Sequence, residues 1–312
     1  MLICKMWGDK TMTKQEADVI MDNYFLLQSQ LSKLEKQEER AEFIKNNEQV
    51  FSDAFNVIKL LIESDNNYYQ VNFQPQAQAS NKNWLSAEAL FRMNYNEKRI
   101  FPDAVFALAN YFNYEEELTV RVFELVCKST KTIKNNSNNN FYVSYNVNPS
   151  LISADFCKKL ACVMNDASLK PCDIAIELLE VSALNKEQIE IVNKLRDRGF
   201  KILIDDFGTG YATEETLKET PFDTLKFSAQ LIAGIDNPEN ASNREGVAKA
   251  IEFCKANGKE TIAEHVETQA EFDVLTSLGI DKVQGWLISK DLPTQQFVTE
   301  LGKQSGIEAS MQ

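Results

Sequence analysis

The chain has 312 residues, of which 44% are apolar and 25% charged, an ordinary globular composition long enough for one large domain with an appendage. A formal net charge of −13 excludes duplex nucleic acid and anionic membranes as general partners, so an anionic substrate needs cations at its site. The six cysteines form no C-x-x-C pair and read as reduced thiols of a cytoplasmic protein, the single histidine, His265, excludes a multi-histidine metal site, and no apolar run approaches the ~18 residues of a membrane span.

In chain order, Met1–Trp7 is too short an apolar run for a signal peptide. Thr13 and Glu16 have the spacing of a capping box that opens a helix. Ala17, Ile20, Tyr24, Leu27, Leu31 and Leu34 then recur at steps of three and four, a heptad seam. A charged stretch from Lys33 to Arg40 follows. Phe51, Phe55, Ile58 and Ile62 form a second helical stripe. Residues 1–66 therefore form a helical extension with two expected helices. They fold as a hairpin capping the main domain, or they pair with a second copy or a protein partner through residues 12–66.

From Tyr68 the pattern changes. Short apolar runs at Tyr69–Gln76, Trp84–Arg92, Phe141–Val147, Ile174–Leu179, Phe200–Ile204, Thr224–Phe227, Glu260–Ala263 and Lys282–Trp286 give eight expected strands. Amphipathic segments at 102–133, 150–166, 186–197, 212–219, 241–257 and 268–278 separate most of them, and 293–303 closes the chain. This alternation predicts an α/β fold over 67–312, a TIM-like (β/α)8 barrel. The first two runs are too close for an intervening helix, so the barrel opens with a hairpin and an irregular first strand. Asn135–Asn140 is a low-complexity loop.

Polar residues fall where such a barrel builds its active site, at the C-terminal ends of strands. Glu88 and Arg92 belong to the second run, Asn146 to the third and Glu177 to the fourth. Asp205 and Asp206 end the fifth, Lys226 the sixth, Glu264 the seventh and Gln284 the eighth. Two adjacent carboxylates repel unless a cation lies between them. In mid-strand they would face opposite ways, but at a strand end both can reach one metal pair.

Glu88, Asn146, Glu177, Asp205 and Asp206 supply only oxygen ligands, which suits Mg2+ or Mn2+ rather than Zn2+. They suffice for a two-metal site that clamps an in-line phosphoryl displacement. Glu264 could then take a proton from water, Lys226 could position that water or stabilise phosphorane charge, and Arg92 could hold a second phosphate. On chemistry alone an enolase-like barrel is the rival reading, with Mg2+ stabilising an enolate and Lys226 as base.

At these residues the chain resembles the EAL family of bacterial cyclic di-GMP phosphodiesterases. Glu88-Ala89-Leu90 stands as the tripeptide that names the family, and Phe73-Gln74-Pro75 looks like its opening strand. Ser144–Pro149 is similar to its Asn strand, and Glu177-Leu178-Leu179-Glu180 to its paired-Glu motif. Asp205–Tyr211 resembles its two-Asp strand and the loop that follows. Leu225-Lys226, Ala263–Thr268 and Asp281–Trp286 are similar to its Lys, general-base and last strands.

The resemblance implies two Mg2+ or Mn2+ ions and hydrolysis of cyclic di-GMP to linear 5′-pGpG. Glu88, Asn146, Glu177 and Asp205 would hold one ion, and Asp205 and Asp206 would engage the other. Glu264 and Lys226 would handle the water. Gln74, Leu90, Arg92 and Gln284 would contact the dinucleotide, with Glu180, Thr209 and Glu267 in support. It also implies a homodimer near the loop after Asp206. The alternative is a cyclic di-GMP receptor with little turnover that signals through the N-terminal helices. The chain departs from the family at Phe227-Ser228, where Ile-Asp is usual, and at His265, where Gly is usual. It departs again at Leu179, where Thr is usual, and after Arg92, where an aromatic residue is usual. His265 reads as a packed or rim histidine rather than a catalytic one.

Overall fold

The structure is a computed structural model that describes residues 6–7, 10–64, 68–137, 140–179, 184–208 and 214–304. By the density of internal contacts the chain forms two compact units, Met1–Gln70 with Phe91–Val122 and Val71–Leu90 with Phe123–Gln312.

In the first unit, Met6–Trp7 (β1) pairs antiparallel with Lys10–Thr11 (β2). Helix α1 (Lys14–Leu31) opens with the expected capping box, in which Thr13 and Glu16 satisfy each other's backbone N–H groups. Helices α2 (Gln37–Asn46) and α3 (Glu48–Glu63) follow, so the described residues of this segment hold three helices rather than two. The extra one arises in the charged stretch. Its Glu, Arg, Ala and Lys residues are good helix formers, Glu38 and Glu39 lie in its first turn and Lys45 in its last, complementing the helix dipole.

This unit also takes in the end of β4 (Trp84–Tyr95, with β3 being Tyr69–Gln78), strand β5 (Lys98–Ile100), helix α4 (Pro102–Tyr111) and the start of α5 (Glu115–Lys134). The single helix expected over 102–133 is broken at Phe112–Tyr114, where Asn113 takes a left-handed φ of 54°. Met21, Tyr24, Leu31, Phe51, Phe55, Ile58, Val105 and Leu108 are buried here, each contributing about 1.5–3 kcal/mol. Buried Gln28 clamps α1 to the strand-to-helix turn. Its Nε2 donates to the Arg99 carbonyl at 3.0 Å, and its Oε1 accepts the Phe101 N–H at 3.2 Å.

The second unit is the barrel. Its further strands are β6 (Tyr142–Val147), β7 (Ile174–Leu179), β8 (Lys201–Phe207), β9 (Thr224–Phe227), β10 (Glu260–Ala263), β11 (Lys282–Val283) and β12 (Leu292–Pro293). Hydrogen bonds run in the order β3-β11-β10-β9-β8-β7-β6-β4, and β4 pairs again with β3, closing eight strands into a ring. Strands β4 and β6 to β11 pair with one another in parallel, whereas β4 pairs antiparallel with β5 and β3 runs antiparallel to β11. This is the irregular first strand expected from the short spacing before Trp84.

Between the strands lie α6 (Ala154–Asp166), α7 (Lys186–Asp197), α8 (Glu214–Glu219), α9 (Ala229–Ile232), α10 (Ala241–Ala256) and α11 (Gln269–Leu278), and α12 (Thr294–Gln304) follows them. Tyr142, Ala175, Leu203 and Ile262 fill the barrel interior as a buried apolar layer. Near the strand starts, Phe297 of α12 packs on Trp84 and Phe141, with ring centroids 5.1 and 6.1 Å apart. The low-polarity floor leaves the opposite, C-terminal strand ends for polar chemistry. Among the described residues, no helix is long and apolar enough to cross a membrane.

Candidate active site

Strand alternation decides which side chains enter the barrel. Register aligns Glu88 with Ser144, Asn146 with Glu177, and Leu179 with Asp205. Lys226 aligns with Ile262, and the Glu264 N–H continues that ladder by donating to the Phe227 carbonyl. Glu88, Glu177, Asp205, Lys226, Glu264 and Gln284 are consequently all buried at one end of the ring, and Asn146 is half-buried beside them.

Strand β8 continues through both aspartates to Phe207, beyond the expected end at Ile204. The β8–β9 register slips between Ile204 and Phe207, and Asp206 adopts a left-handed φ of 54°. This bulge re-aims a side chain that regular pleating would send to the opposite face. Asp205 and Asp206 thus reach the same cluster despite being neighbours. One group comprises Glu88, Glu177 and Asp205, the other Asp205, Asp206 and Glu264, with one ligand oxygen per residue and all such oxygens in a group within 4.8 Å of one another. Asp205 belongs to both.

The Lys226 ammonium, fully buried, sits among four of these acids. It lies 2.7 Å from Glu264, 2.8 Å from Glu177 and Asp205, and 3.5 Å from Glu88. Burial alone would lower its pKa, but Asp205, Glu177, Glu264 and Glu88 outweigh burial and hold it well above the ordinary lysine value. Burial, reinforced by Glu88 and Asp205, pushes Glu177 up to about 8. Burial likewise raises Glu264 well above the carboxylate range, and burial with Asp205 raises Asp206. Glu88 moves the other way. Burial raises it, but Lys226, Gln284 and Asn146 together hold it below its usual range.

The donor set fits hard divalent cations. Every acid offers oxygen, and Asn146 donates its Nδ2 to Glu88 at 2.8 Å, leaving its carbonyl oxygen as a ligand. Glu177 Oε1 is buried with no hydrogen-bond partner, a costly state that a cation would relieve. Ser228 Oγ is a second buried atom without a partner, next to the Lys226 strand.

Gln284 donates Nε2 to Glu88 at 2.6 Å and to Gln74 at 3.2 Å. Gln74 and Leu90 are half-buried on β3 and β4. Arg92 lies two residues beyond Leu90, in the first unit, and its Nη1 donates to the Phe91 carbonyl at 2.9 Å. His265 is exposed, a rim residue. Glu180 and Thr209 lie outside the described residues, as do Gly210 and Tyr211.

Glu267 is exposed, and the loop after Glu264 is held instead by buried Glu271, which the sequence reading did not single out. Glu271 accepts the N–H groups of Glu267 and Thr268, each at 3.0 Å, and of Gly234 at 2.9 Å. The Thr268-x-x-Glu271 capping spacing was its signal. Gln76 and Ser86 were also missed, although they alternate with Gln74 and Glu88 on the same strands.

The sequence profile of the EAL domain family matches residues 59–291. The probable cyclic di-GMP phosphodiesterase PdeB of Escherichia coli K12 is 28% identical over 231 residues, covering 73% of this chain and 43% of its own length. The chain spans 31%, 43% and 28% of three curated relatives it matches. Among solved structures, EAL enzyme Bd1971 bound to cAMP and cyclic di-GMP superposes with a TM-score of 0.75 at 22% identity, covering 94% of this chain and 80% of that one. The manganese and cyclic di-GMP complex of Klebsiella pneumoniae BlrP1 gives 0.64 at 26% identity, covering 74% and 57%. With the family profile matching most of its length, this chain, an eight-stranded barrel, belongs to the EAL domain family.

Proposed function

We propose that the chain is a metal-dependent phosphodiesterase that hydrolyses cyclic di-GMP to linear 5′-pGpG. The observation that supports this best is the pair of oxygen-only groups sharing Asp205 at one end of the barrel. Relatives named as cyclic di-GMP phosphodiesterases and the manganese-containing BlrP1 complex agree with it. Glu88, Asn146, Glu177, Asp205 and Asp206 are the residues that would hold two Mg2+ or Mn2+ ions. Bound there, the ions would supply Lewis acidity and a more acidic water.

In this reading Glu264 takes a proton from the attacking water as the new P–O bond forms. The P–O3′ bond of one linkage breaks, and the 3′ oxygen leaves with the bonding pair and takes up a proton from solvent water, becoming the free hydroxyl. Lys226 offers its ammonium to charge developing on the phosphorane oxygens. Gln74, Leu90, Arg92 and Gln284 contact the dinucleotide, and Glu180, Thr209 and Glu267 support the loops. We further propose a homodimer in the cytoplasm, with residues 1–66 as a helical extension to the 67–312 barrel and residues 12–66 available to a protein partner. Free thiols at Cys127, Cys157, Cys162, Cys172 and Cys254 agree with a reducing compartment.

The test is incubation of the purified chain with cyclic di-GMP and Mg2+ or Mn2+, beside Glu264→Ala. Linear product from the first alone supports the enzyme. Tight binding without product replaces it with a receptor, and neither binding nor product removes both readings.

A further inference from the structure

We infer that Gln76 is a positioning residue that acts through Gln284 to aim Glu88, an assignment that rests on the metal-dependent reading above. Ionised Glu88 can only accept hydrogen bonds, so the Gln284 atom 2.6 Å from its Oε2 is the amide nitrogen. The second hydrogen on that nitrogen goes to Gln74 Oε1 at 3.2 Å. Gln74 cannot reverse, because its own Nε2 donates to the Ser289 carbonyl at 3.2 Å.

With both of its hydrogens committed, Gln284 must accept at Oε1. The donor there is Gln76 Nε2, 3.0 Å away. Gln76 then accepts at its own Oε1, and the Ser86 hydroxyl donates to it at 2.7 Å. A line of hydrogen bonds, Ser86 to Gln76 to Gln284 to Glu88, therefore has a single polarity dictated by the anion at its end.

Burial makes that polarity strict. Gln76 and Ser86 are 0% exposed and Gln284 is 4% exposed, so water cannot substitute for a lost partner. Turning the Gln284 amide over would press its carbonyl oxygen against the Glu88 carboxylate. Asn146 holds the other oxygen of Glu88 at 2.8 Å, so both oxygens are fixed. The carboxylate is thereby presented toward Glu177 and Asp205, its partners in the first cation group. Gln284 retains only one carbonyl lone pair for a ligand, and it is no free donor.

Partners of this kind behind a ligand typically govern cation affinity by ~10–100-fold. The experiment measures Mn2+ affinity of the full chain without substrate, by electron paramagnetic resonance of free Mn2+, and cyclic di-GMP hydrolysis at saturating Mn2+. Gln76→Met is expected to weaken Mn2+ binding about tenfold, with kcat largely restored at saturating Mn2+. Ser86→Ala, which removes only the last link, weakens it less. It remains readable if Gln76→Met fails to fold. Gln76→Glu weakens it most, because a carboxylate cannot donate to Gln284. Wild-type Mn2+ affinity in Gln76→Met or a wild-type chain that binds no Mn2+ would overturn the assignment. Mn2+ binding that depends on Gln76, in a chain that yields no linear product, upholds the assignment and removes the phosphodiesterase reading instead.

Discussion

Asp206 and His265 share one unusual backbone conformation. Each has φ of 54°, and each directly follows an inward-facing acid, Asp205 on β8 and Glu264 just after β10. Left-handed backbone costs an L-residue ~1–2 kcal/mol, so the chain turns sharply at both acids against local preference. At Asp206 the strain has a return, because it brings a second carboxylate into the cluster. At His265 the ring is exposed and makes no hydrogen bond with a described residue to offset it. His265→Gly is therefore expected to stabilise the fold by about 1 kcal/mol, raising Tm by ~2 °C. Thermal denaturation by circular dichroism checks it, and a lower Tm would show that the imidazole makes a stabilising contact.

Lys226 is the one cation among four buried acids, and removing it exposes their repulsion. Lys226→Met should cost about 3–5 kcal/mol in chelator, the usual result of leaving buried charge uncompensated. Mn2+ at ~100 times its Kd should return about 2.7 kcal/mol, since it binds only the folded state. Urea titrations in EDTA and in Mn2+ measure both effects. If the variant unfolds like wild type in EDTA, the acids carry less charge than the geometry implies.

Much of this site was legible because strand-end acids recur at barrel spacing, and the ring of eight strands followed from the alternation of eight short apolar runs with amphipathic segments. Its details were not legible, for physical reasons. Adjacent aspartates point opposite ways in any regular strand, and only the bulge between Ile204 and Phe207 decides otherwise. Gln76 and Ser86 look like ordinary polar residues of half-buried strands. Their importance comes from closure of β3 on β11 and β4, a long-range event that brings Gln76 to Gln284 across 208 positions. The helix over Gln37–Asn46 escaped because its apolar stripe is weak, and propensity and end charges form it instead.

Gly285 carries a close approach that no other residue permits. A Cβ there would collide with the backbone of Val266, whose N–H donates to the Gln284 carbonyl at 3.1 Å. Two loops, one after Glu264 and one after Gln284, are thus pressed together over backbone atoms that cannot yield. Gly285→Ala should destabilise by about 2–4 kcal/mol through forced loop displacement. It should also lower activity more than the distant Gly246→Ala, where nothing lies near the added carbon. Urea midpoints of the two variants decide it, and equal midpoints would mean that the loops part freely.

Asp223 ties the start of β9 to its neighbours and gives the barrel a pH dependence away from the cation site. It pairs with Arg196 at 2.7 Å and accepts the Ile202 N–H at 2.9 Å. Burial raises its pKa, but the hydrogen bonds from Arg196 and Ile202, with the Arg196 charge, outweigh burial and hold it below the usual range. A carboxyl lowered on folding contributes stability that is complete above its unfolded pKa, about 3.9, and is lost as pH falls through the folded value. Asp223→Asn should accordingly cost about 1.5–3 kcal/mol near neutral pH. The gap from wild type should narrow once pH drops below about 4, because the protonated wild-type side chain then resembles the amide. Paired urea titrations across that range measure the gap, and a constant difference would assign the contribution to shape and neutral hydrogen bonding rather than to charge.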